Sequence, residues 1–599
     1  MPPTINDKLG HYVMICRAYE SGADEGGAQL NPTIPVQPPS AITTSSCSSD
    51  IIICQMRTLF FALTVAVCMK GQTTKSKLTE VDHIFAAFNT HTPGCAVGVS
   101  EHGTVALRAG YGMADLERAV PVNAETVFES GSVAKQFTAM AILLLAQRGK
   151  ISLDDPMRKY LPELPDYGAP LTIRHVLSHV SGLREWRLVA TFSGTPEGTY
   201  VLDNHDLLRM ASKQRALNFD PGMAYSYTNT GFNISTILIE RALGNGKTFQ
   251  EFTREAIFEP LKMTHTQWRD DFRAVVPNRA LAYAFRAGVW IQDTPNENII
   301  GAGGMLSTVG DWLLWNDNFT QAKVGGPEIV KMQQTQATLS GGKTIAYAAG
   351  LSIGTFDGFR EVSHSGSTGG YRTWIGRYPE KGVSVAVMCN SAQANPTRLG
   401  RETARLWTGG VPTPNPAPVA VETATLEKMA GIYRKVRDNT VAELRVRDGK
   451  LMFDALTLIP LGAAEFSAGQ DKYRFEDGRL NLVTPDGNIA YERVEPAHQS
   501  DSELAPLAGK YESGETGSTL TVAAKAGELT LAIGWNKPIG LRPTFRDAFM
   551  MEAGGGTTSI VFHRDQAGKV TGLSAGDDRV WDLRFTRVEV TPTDSRAHR

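Results

Sequence analysis

Residues 132–146 read SVAKQFTAMAILLLA, a serine and a lysine followed by an almost unbroken apolar run. Because the run is apolar on all sides, it predicts a buried helix that ends near Gly149. Ser132 would lie in the first turn of this helix, with Lys135 one turn further on the same face. A serine hydroxyl needs a nearby base to become a nucleophile, and a buried lysine of lowered pKa can be that base. The free backbone N–H groups of the helix N-terminus suit a developing oxyanion.

The same four-residue pattern occurs again at Ser340–Lys343. That stretch is rich in glycine and no apolar helix follows it, so we interpret it as a loop. The surrounding sequence therefore distinguishes the two serines, and only Ser132 is predicted to act as a nucleophile.

Two further elements follow Ser132 along the chain. Tyr227 and Asn229 form the only Tyr-x-Asn among sixteen tyrosines, and residues 364–366 (HSG) are the only His-x-Gly. A phenol beside a lysine can act as phenolate or proton shuttle, and an amide can hold both the lysine and a substrate carbonyl. These residues could complete a site for acyl transfer with Ser132.

In this order the three elements resemble those of the penicillin-recognising serine hydrolases, which include class C β-lactamases, D-Ala-D-Ala carboxypeptidases, related esterases and D-aminopeptidases. The resemblance spans roughly residues 80–408 and implies an α+β, β-lactamase/transpeptidase-like domain over 78–408: an antiparallel sheet flanked by helices, with a helical subdomain. It implies that Ser132 is the nucleophile and that Lys135 and Tyr227 transfer protons. The residues that it implies bind substrate are Asn229, His364, Gly366 and Ser367. The oxyanion hole would consist of the backbone N–H groups of Ser132 and Ser367.

The chain departs from the β-lactamase pattern at His364, where many β-lactamases have lysine, and at Thr228, where serine is more usual. A histidine at this position is more similar to the D-aminopeptidases and some esterases. In the D-aminopeptidases a loop from a C-terminal barrel reaches the active site, and the resemblance makes residues 513–517 a candidate for that loop. An ordinary hairpin turn is the alternative for the same residues.

The C-terminal third of the chain contains a repeat. A proline-rich linker is predicted over 409–424, and beyond it the pattern Leu-Ala-Gly-x-Tyr that ends at Tyr511 echoes the pattern ending at Tyr433, 78 positions earlier. Short alternating strands and glycine turns follow each copy. We therefore predict two small antiparallel β-barrels, over 425–497 and 503–590.

The N-terminus predicts export. Residues 1–55 hold no periodic apolar pattern and are interpreted as an unstructured leader, with Met56 as the hypothetical true start. Residues 56–72 combine a basic residue, a short apolar run and a polar exit, which is typical of a signal peptide and predicts a secreted or periplasmic protein. No other stretch is long and apolar enough to span a membrane. The sequence leaves open whether Cys95 and Cys389 form a disulfide.

Composition excludes some classes of function. The net charge of −2 gives no general attraction to nucleic acid, and no Cys-x-x-Cys pair suggests zinc. His175 and His179 lie four apart, yet no glutamate follows His175 as in a zinc protease, so we expect neither metal nor cofactor. We predict a serine hydrolase of D-aminopeptidase or esterase type that acts on small-molecule or peptide substrates. The alternatives are a penicillin-binding sensor or scaffold that acylates without turnover, and a true β-lactamase or D-Ala-D-Ala carboxypeptidase.

Overall fold

The computed structural model describes residues 75–195, 200–414, 416–497, 499–534, 536–553 and 556–589. The predicted leader over 1–55 and the predicted signal peptide over 56–72 lie outside the described residues.

A six-stranded antiparallel sheet forms the centre of the N-terminal domain, in the order β10-β11-β12-β13-β1-β2. The strands of this domain are β1 (Cys95–Glu101), β2 (Thr104–Tyr111), β3 (Met113–Asp115), β4 (Val120–Pro121), β5 (Phe128–Glu129), β6 (Gln267–Trp268), β7 (Tyr283–Arg286), β8 (Val289–Gln292), β9 (Met305–Ser307), β10 (Ser352–Phe356), β11 (Phe359–Thr368), β12 (Tyr371–Tyr378) and β13 (Val383–Cys389). Strand β1 pairs with β13, so the two ends of the domain close the sheet.

A disulfide joins the first and last strands of this sheet. The register of β1 against β13 sets Cys95 directly opposite Cys389, and the two sulfurs are bonded. Both cysteines are completely buried, and β13 is buried along its whole length, which matches its run of valines. The pairing that the sequence left open is therefore present.

Helices cover this sheet and form a separate helical region. They are α1 (75–84), α2 (Lys135–Gln147), α3 (Ile173–Leu177), α4 (Trp186–Phe192), α5 (Asn204–Lys213), α6 (Thr230–Leu243), α7 (Phe249–Thr253), α8 (Glu259–Leu261), α9 (Val309–Gln321), α10 (Gly326–Gln333) and α11 (Pro396–Thr408). Every residue of α2 from Lys135 to Leu145 is buried, as the all-round apolar run predicts. Ser132 lies just before α2, in a 3-10 turn over Gly131–Ala134 that runs directly into the helix.

Two β-barrels follow the proline-rich segment. The first is a nearly closed nine-stranded sheet and follows α12 (Thr423–Met429); the second is a closed eight-stranded barrel and follows α13 (Asp501–Leu504). Their strands are β14 (Gly431–Lys435), β15 (Val441–Arg447), β16 (Lys450–Phe453), β17 (Leu456–Thr457), β18 (Ile459–Pro460), β19 (Glu465–Ala468), β20 (Asp471–Glu476), β21 (Arg479–Thr484), β22 (Gly487–Val494), β23 (Gly509–Ser513), β24 (Ser518–Lys525), β25 (Glu528–Ile533), β26 (Ile539–Pro543), β27 (Ala548–Ala553), β28 (Gly556–Arg564), β29 (Val570–Asp577) and β30 (Val580–Arg587).

The second barrel shares its apolar core with the N-terminal domain. Leu188 and Phe192 of α4 are buried among the side chains inside this barrel, and the Phe192 ring lies 5.6 Å from that of Phe585. The core of the first barrel is built from its own strands together with Leu426 of α12. Burial of large apolar side chains therefore fixes the second barrel against α4. Within the described part of the chain, no helix is long and apolar enough to cross a bilayer.

Candidate active site

The 3-10 turn before α2 places Ser132 in a cavity of about 720 Å³. Gly131 in this turn has a φ of +50°, and a Cβ there would lie 2.5 Å from the backbone nitrogen of Ser367. Only glycine fits, because any side chain would meet the backbone of β11. This close approach brings the serine against the edge of the sheet.

Lys135 is completely buried one turn beyond the serine, and its amine has three polar neighbours. Nζ lies 3.0 Å from Ser132 Oγ, 2.7 Å from Asn229 Oδ1 and 2.9 Å from the carbonyl oxygen of Ala302. Burial lowers the pKa of the Lys135 amine well below its ordinary value, and Arg579 and Arg187 lower it further. The carboxylate of Glu185 opposes this shift.

The arrangement around Nζ suits a neutral amine that takes a proton from Ser132. The oxygens of Asn229 and Ala302 can only accept, so they bind the two N–H groups of a neutral lysine. The lone pair of the nitrogen is then left for the hydroxyl of Ser132. Lys135 is thus placed to be the general base.

A buried carboxylate that the sequence analysis did not identify orients Asn229. Glu185 accepts hydrogen bonds from Asn229 Nδ2 at 3.0 Å, from the backbone nitrogen of Asn229 at 2.6 Å and from Thr228 Oγ1 at 3.2 Å. Because Nδ2 must face this carboxylate, Oδ1 must face Lys135. Glu185 therefore fixes the amide that holds the base. No local pattern in the sequence marks Glu185 as functional.

Tyr227 lies beside the lysine, which is 4.8 Å from the centre of its ring. Burial raises the pKa of the Tyr227 phenol, and hydrogen bonding to Ser132 and the charge of Arg579 oppose the rise. The resting site thus favours a protonated phenol beside a neutral lysine, so Tyr227 is placed to donate a proton. His179 packs against the same ring at 4.1 Å and accepts a hydrogen bond from the backbone nitrogen of Thr228.

His364 stands on β11 at the opposite wall of the cavity and is uncharged. Its Nδ1–H donates to the carbonyl of Ser365 at 2.6 Å, so Nε2 accepts from the hydroxyl of Tyr347 at 2.8 Å. Burial lowers the pKa of His364 to about 4, although the hydrogen bond with the carbonyl of Ser365 opposes the shift. Where many β-lactamases have a lysine, this chain therefore presents a neutral ring.

Two backbone N–H groups meet where the serine turn touches β11. A Cβ on Gly366 would lie 3.0 Å from the backbone nitrogen of Ser132 and 2.1 Å from the carbonyl oxygen of Ser130, so glycine is required at this contact as well. Thr373 Oγ1 donates to the same carbonyl at 2.7 Å and fixes the turn on the sheet. The predicted donors, Ser132 and Ser367, both line the cavity. Such paired N–H groups can stabilise a tetrahedral oxyanion.

Four charged side chains of the cavity were missed in the sequence: Arg187, Glu297, Arg372 and Arg579. Arg187 lies 3.6 Å from Glu297, whose pKa is raised by burial. They come from different elements, and no local motif unites them, so only the fold could reveal the group.

The candidate loop over residues 513–517 does not line this cavity. Residues 513–517 form the turn between β23 and β24, and Glu515 is instead paired with Arg184 at 2.8 Å in a buried contact. The residue of the second barrel that enters the cavity is Arg579, from the β29–β30 hairpin. Residues 513–517 thus form the ordinary hairpin turn that was the alternative for them, and the hairpin of Arg579 carries no motif.

Two other polar motifs noted in the sequence, at Lys343 and at His175, make their contacts outside the cavity of Ser132. Lys343 donates to the carbonyl of Thr484 in the first barrel, outside the cavity of Ser132. His175 accepts a hydrogen bond from the backbone nitrogen of Thr172 and caps α3. The described ranges contain no group of three or more His, Cys, Asp or Glu side chains arranged to hold a metal ion.

Comparison with known proteins identifies the family of this chain. The family model described as Beta-lactamase matches residues 81–408, more than half of the chain. The chain is 26% identical to the D-aminopeptidase of Brucella canis over 516 residues, which cover 82% of this chain and 94% of that protein. It is equally similar to the D-aminopeptidase of Brucella anthropi, at 26% over 512 residues, with 81% and 93% covered. The octameric penicillin-binding protein homologue from Pyrococcus abyssi superimposes with a TM-score of 0.51 at 24% identity and covers 70% of this chain and 99% of its own.

The chain belongs to the β-lactamase family and is a serine hydrolase. The predicted family and fold class are confirmed. The structure brings Ser132, Lys135, Tyr227 and Asn229 together on one side of the cavity, with His364, Gly366 and Ser367 on the facing strand. Their individual catalytic roles remain predictions.

Proposed function

We propose that this protein is an aminopeptidase-type serine hydrolase that releases an N-terminal residue, with a preference for the D-configuration, from small amides and short peptides. The observation that carries the proposal is the Lys135 amine, completely buried and 3.0 Å from the hydroxyl of Ser132. The two D-aminopeptidases that are similar over most of their length support the choice of substrate.

In the proposed reaction Lys135 takes the proton of Ser132 as Oγ attacks the substrate carbonyl. The N–H groups of Ser132 and Ser367 bind the oxyanion. Collapse of the tetrahedral intermediate breaks the C–N bond, and the leaving nitrogen takes a proton from Tyr227, which regains one from Lys135. A water then attacks the acyl-enzyme with the same groups in reverse, and the acid is released.

Two features of the cavity favour a free amino group on the substrate. The carboxylate of Glu297 lines the cavity with 21% of its side chain exposed, and can bind an ammonium group. The neutral His364 does not supply the positive charge that a lysine at this position would offer. These features support an aminopeptidase over a β-lactamase.

We also propose that the protein works in an oxidising compartment, secreted or periplasmic. The buried disulfide between Cys95 and Cys389 supports this, since such bonds persist outside the reducing cytosol. The signal-peptide pattern over 56–72 supports it independently.

The test is hydrolysis of D-alanine and L-alanine p-nitroanilides, p-nitrophenyl butyrate and a chromogenic cephalosporin by the chain from residue 73. We expect turnover of the D-alanine compound, and a loss of at least about 10³-fold in Ser132→Ala. Ser340→Ala is the matched control, because Ser340 begins the other Ser-x-x-Lys and lies outside the cavity.

Different outcomes separate the alternatives. Butyrate turnover alone would indicate an esterase, and cephalosporin turnover a β-lactamase. A burst of one equivalent of product with no further turnover would indicate a sensor that is acylated but does not hydrolyse the acyl-enzyme. Activity that survives in Ser132→Ala would contradict the assigned nucleophile.

A further inference from the structure

The cavity contains three arginines, and two of them already have partners. Arg187 is paired with Glu297 at 3.6 Å. Arg372 donates through Nη1 to the carbonyls of Gly369 at 2.6 Å and of Tyr371 at 2.8 Å. Among the described residues the guanidinium of Arg579 makes neither an ion pair nor a hydrogen bond; its contact is with the face of the Tyr227 ring, 5.0 Å from the ring centre.

The backbone of Arg579 is held firmly at the tip of its hairpin. Asp577 Oδ1 accepts from the backbone nitrogens of Arg579 at 2.8 Å and of Val580 at 2.7 Å. On the other side, Asn218 of the N-terminal domain donates to the carbonyl of Arg579 at 2.8 Å and accepts from the backbone nitrogen of Trp581 at 3.0 Å. A rigid hairpin thus presents an uncommitted cation, as binding sites for anions require.

The position of Arg579 relates it to the leaving group. Tyr227, on which it lies, is the proton donor to the leaving nitrogen in the proposed mechanism. The C-terminal carboxylate of a dipeptide is two bonds beyond that nitrogen, so the two groups would meet close to the same ring. The charged neighbours of Glu297 are Arg187, Glu129, Arg269 and Glu185, and Arg579 is not among them. The carboxylate of Glu297 therefore does not neutralise Arg579, which leaves a positive charge beside Tyr227.

We propose that Arg579 binds a carboxylate on the leaving group, which makes peptides with a carboxylate directly after the scissile bond, dipeptides above all, the preferred substrates. The proposal rests on the acyl-enzyme chemistry proposed above. A guanidinium forms two parallel hydrogen bonds with a carboxylate, which gives both strength and orientation. The second barrel would then supply the specificity of the leaving-group side.

The experiment compares D-alanyl-glycine with D-alanyl-glycinamide, which differ only in the terminal carboxylate. We expect the wild-type protein to prefer the acid by about ten-fold or more in kcat/KM, the effect of a charged hydrogen bond. Arg579→Gln should abolish this preference and Arg579→Lys should keep part of it. The matched control is Arg584→Gln, because Arg584 lies further along the same hairpin, exposed, and is paired with Asp582 outside the cavity.

The ratio of the two rates separates binding of the carboxylate from other effects of Arg579. Its charge also opposes the rise in the pKa of Tyr227, so Arg579→Gln can slow both substrates by a common factor. An equal loss on acid and amide would therefore overturn the proposal. If the wild-type protein cleaved the acid and the amide with equal kcat/KM, this result alone would overturn the proposal.

A second pair of substrates keeps this test independent of the proposed aminopeptidase activity. If no D-alanyl compound is cleaved, the proposed function has failed, whereas Arg579 can still be tested with p-nitrophenyl butyrate and its 3-carboxy-4-nitrophenyl counterpart. A preference for the carboxylated ester that Arg579→Gln removes would support the role of Arg579. The same preference left intact in the variant would contradict it.

Discussion

The two C-terminal barrels are copies of one unit that begin in the same way. Tyr433 and Tyr511 each donate a hydroxyl hydrogen bond to the carbonyl four residues earlier, at 3.0 and 2.6 Å. Arg493 and Arg587, on the last strand of each barrel, donate to the carbonyls of Lys428 and Pro506, which stand 78 positions apart like the tyrosines. The two copies thus share the same hydrogen bonds to the segment that precedes the first strand of each barrel.

The last hairpin of each barrel distinguishes the copies. In the first barrel Asp486 of this hairpin accepts from the backbone nitrogen of Ala346, at the outside of the N-terminal domain. In the second barrel the same place carries Arg579, which enters the catalytic cavity. The barrel is thus a common scaffold, and the residues at one hairpin tip determine whether it takes part in the active site.

The second barrel also contacts the segment that holds the base. Glu515 binds Arg184, the residue immediately before Glu185, and Glu185 orients the amide of Asn229 against Lys135. The first barrel approaches the active site through the ion pairs of Asp578 and through Asp486, which binds the backbone of the residue before Tyr347. The comparison therefore predicts that changes in the second barrel affect stability and activity together.

The largest effect is expected for Glu515→Ala. The side chains of Glu515 and Arg184 are 10% and 4% exposed, and loss of one partner leaves a buried charge uncompensated. We expect a loss of about 3–5 kcal/mol in the free energy of unfolding, measured by denaturant titration. We also expect a lower kcat, since Glu185 is adjacent.

The matched control is Glu492→Gln in the first barrel, whose ion pair with Arg434 is about one-third exposed. It should cost less than about 1 kcal/mol and leave kcat unchanged. If the two variants lost the same free energy of unfolding and the same kcat, the predicted difference between the barrels would be contradicted.

An intermediate effect, dependent on pH, is expected for Asp577→Asn. Burial raises the pKa of Asp577 to about 6 from its ordinary 3.8, so the folded protein holds this proton more tightly than the unfolded chain does. The stability from that proton is complete below 3.8 and is lost as the pH rises through 6. Asparagine keeps the acceptor for the hairpin N–H groups without the charge, so it should stabilise the protein at pH 8 by up to about 3 kcal/mol.

The measurement is the free energy of unfolding of wild type and Asp577→Asn between about pH 3 and pH 8. The difference should shrink as the pH falls and nearly vanish at about pH 3, where the wild-type carboxyl is largely protonated in both states. A difference that is constant over this range would show that the charge of Asp577 is not its source.

Much of the site could be predicted because it is local in the sequence. Ser132 and Lys135 lie one helical turn apart, and Tyr227 and Asn229 are separated by one residue, so short patterns report them. The buried helix followed from its apolar run, since all-round burial needs no knowledge of what surrounds it.

The missed residues depend on contacts across the fold. Glu185 and Arg579 are 394 positions apart, yet the carbonyl of Arg579 accepts a hydrogen bond from the backbone nitrogen of Glu185 at 3.3 Å. Neither residue has neighbours of a recognisable pattern. The disulfide was undecided for the same reason, because only the register of β1 against β13 sets Cys95 opposite Cys389.

The smallest effect is expected for Asp578→Asn, which removes the link from the first barrel to the hairpin of Arg579. Asp578 is paired with Lys435 and with Arg437, the latter at 3.1 Å, but its own side chain is 69% exposed, so water and salt screen the attraction. The loss in the free energy of unfolding should stay below about 1 kcal/mol and should shrink between 0.05 and 0.5 M NaCl. Because Asp577 and Asn218 still hold the backbone of the hairpin, the preference for D-alanyl-glycine over its amide should change by less than about two-fold. A larger fall in that preference would mean that the first barrel, through Asp578, also positions Arg579, and the functional difference between the two copies would be smaller than their hairpin tips indicate.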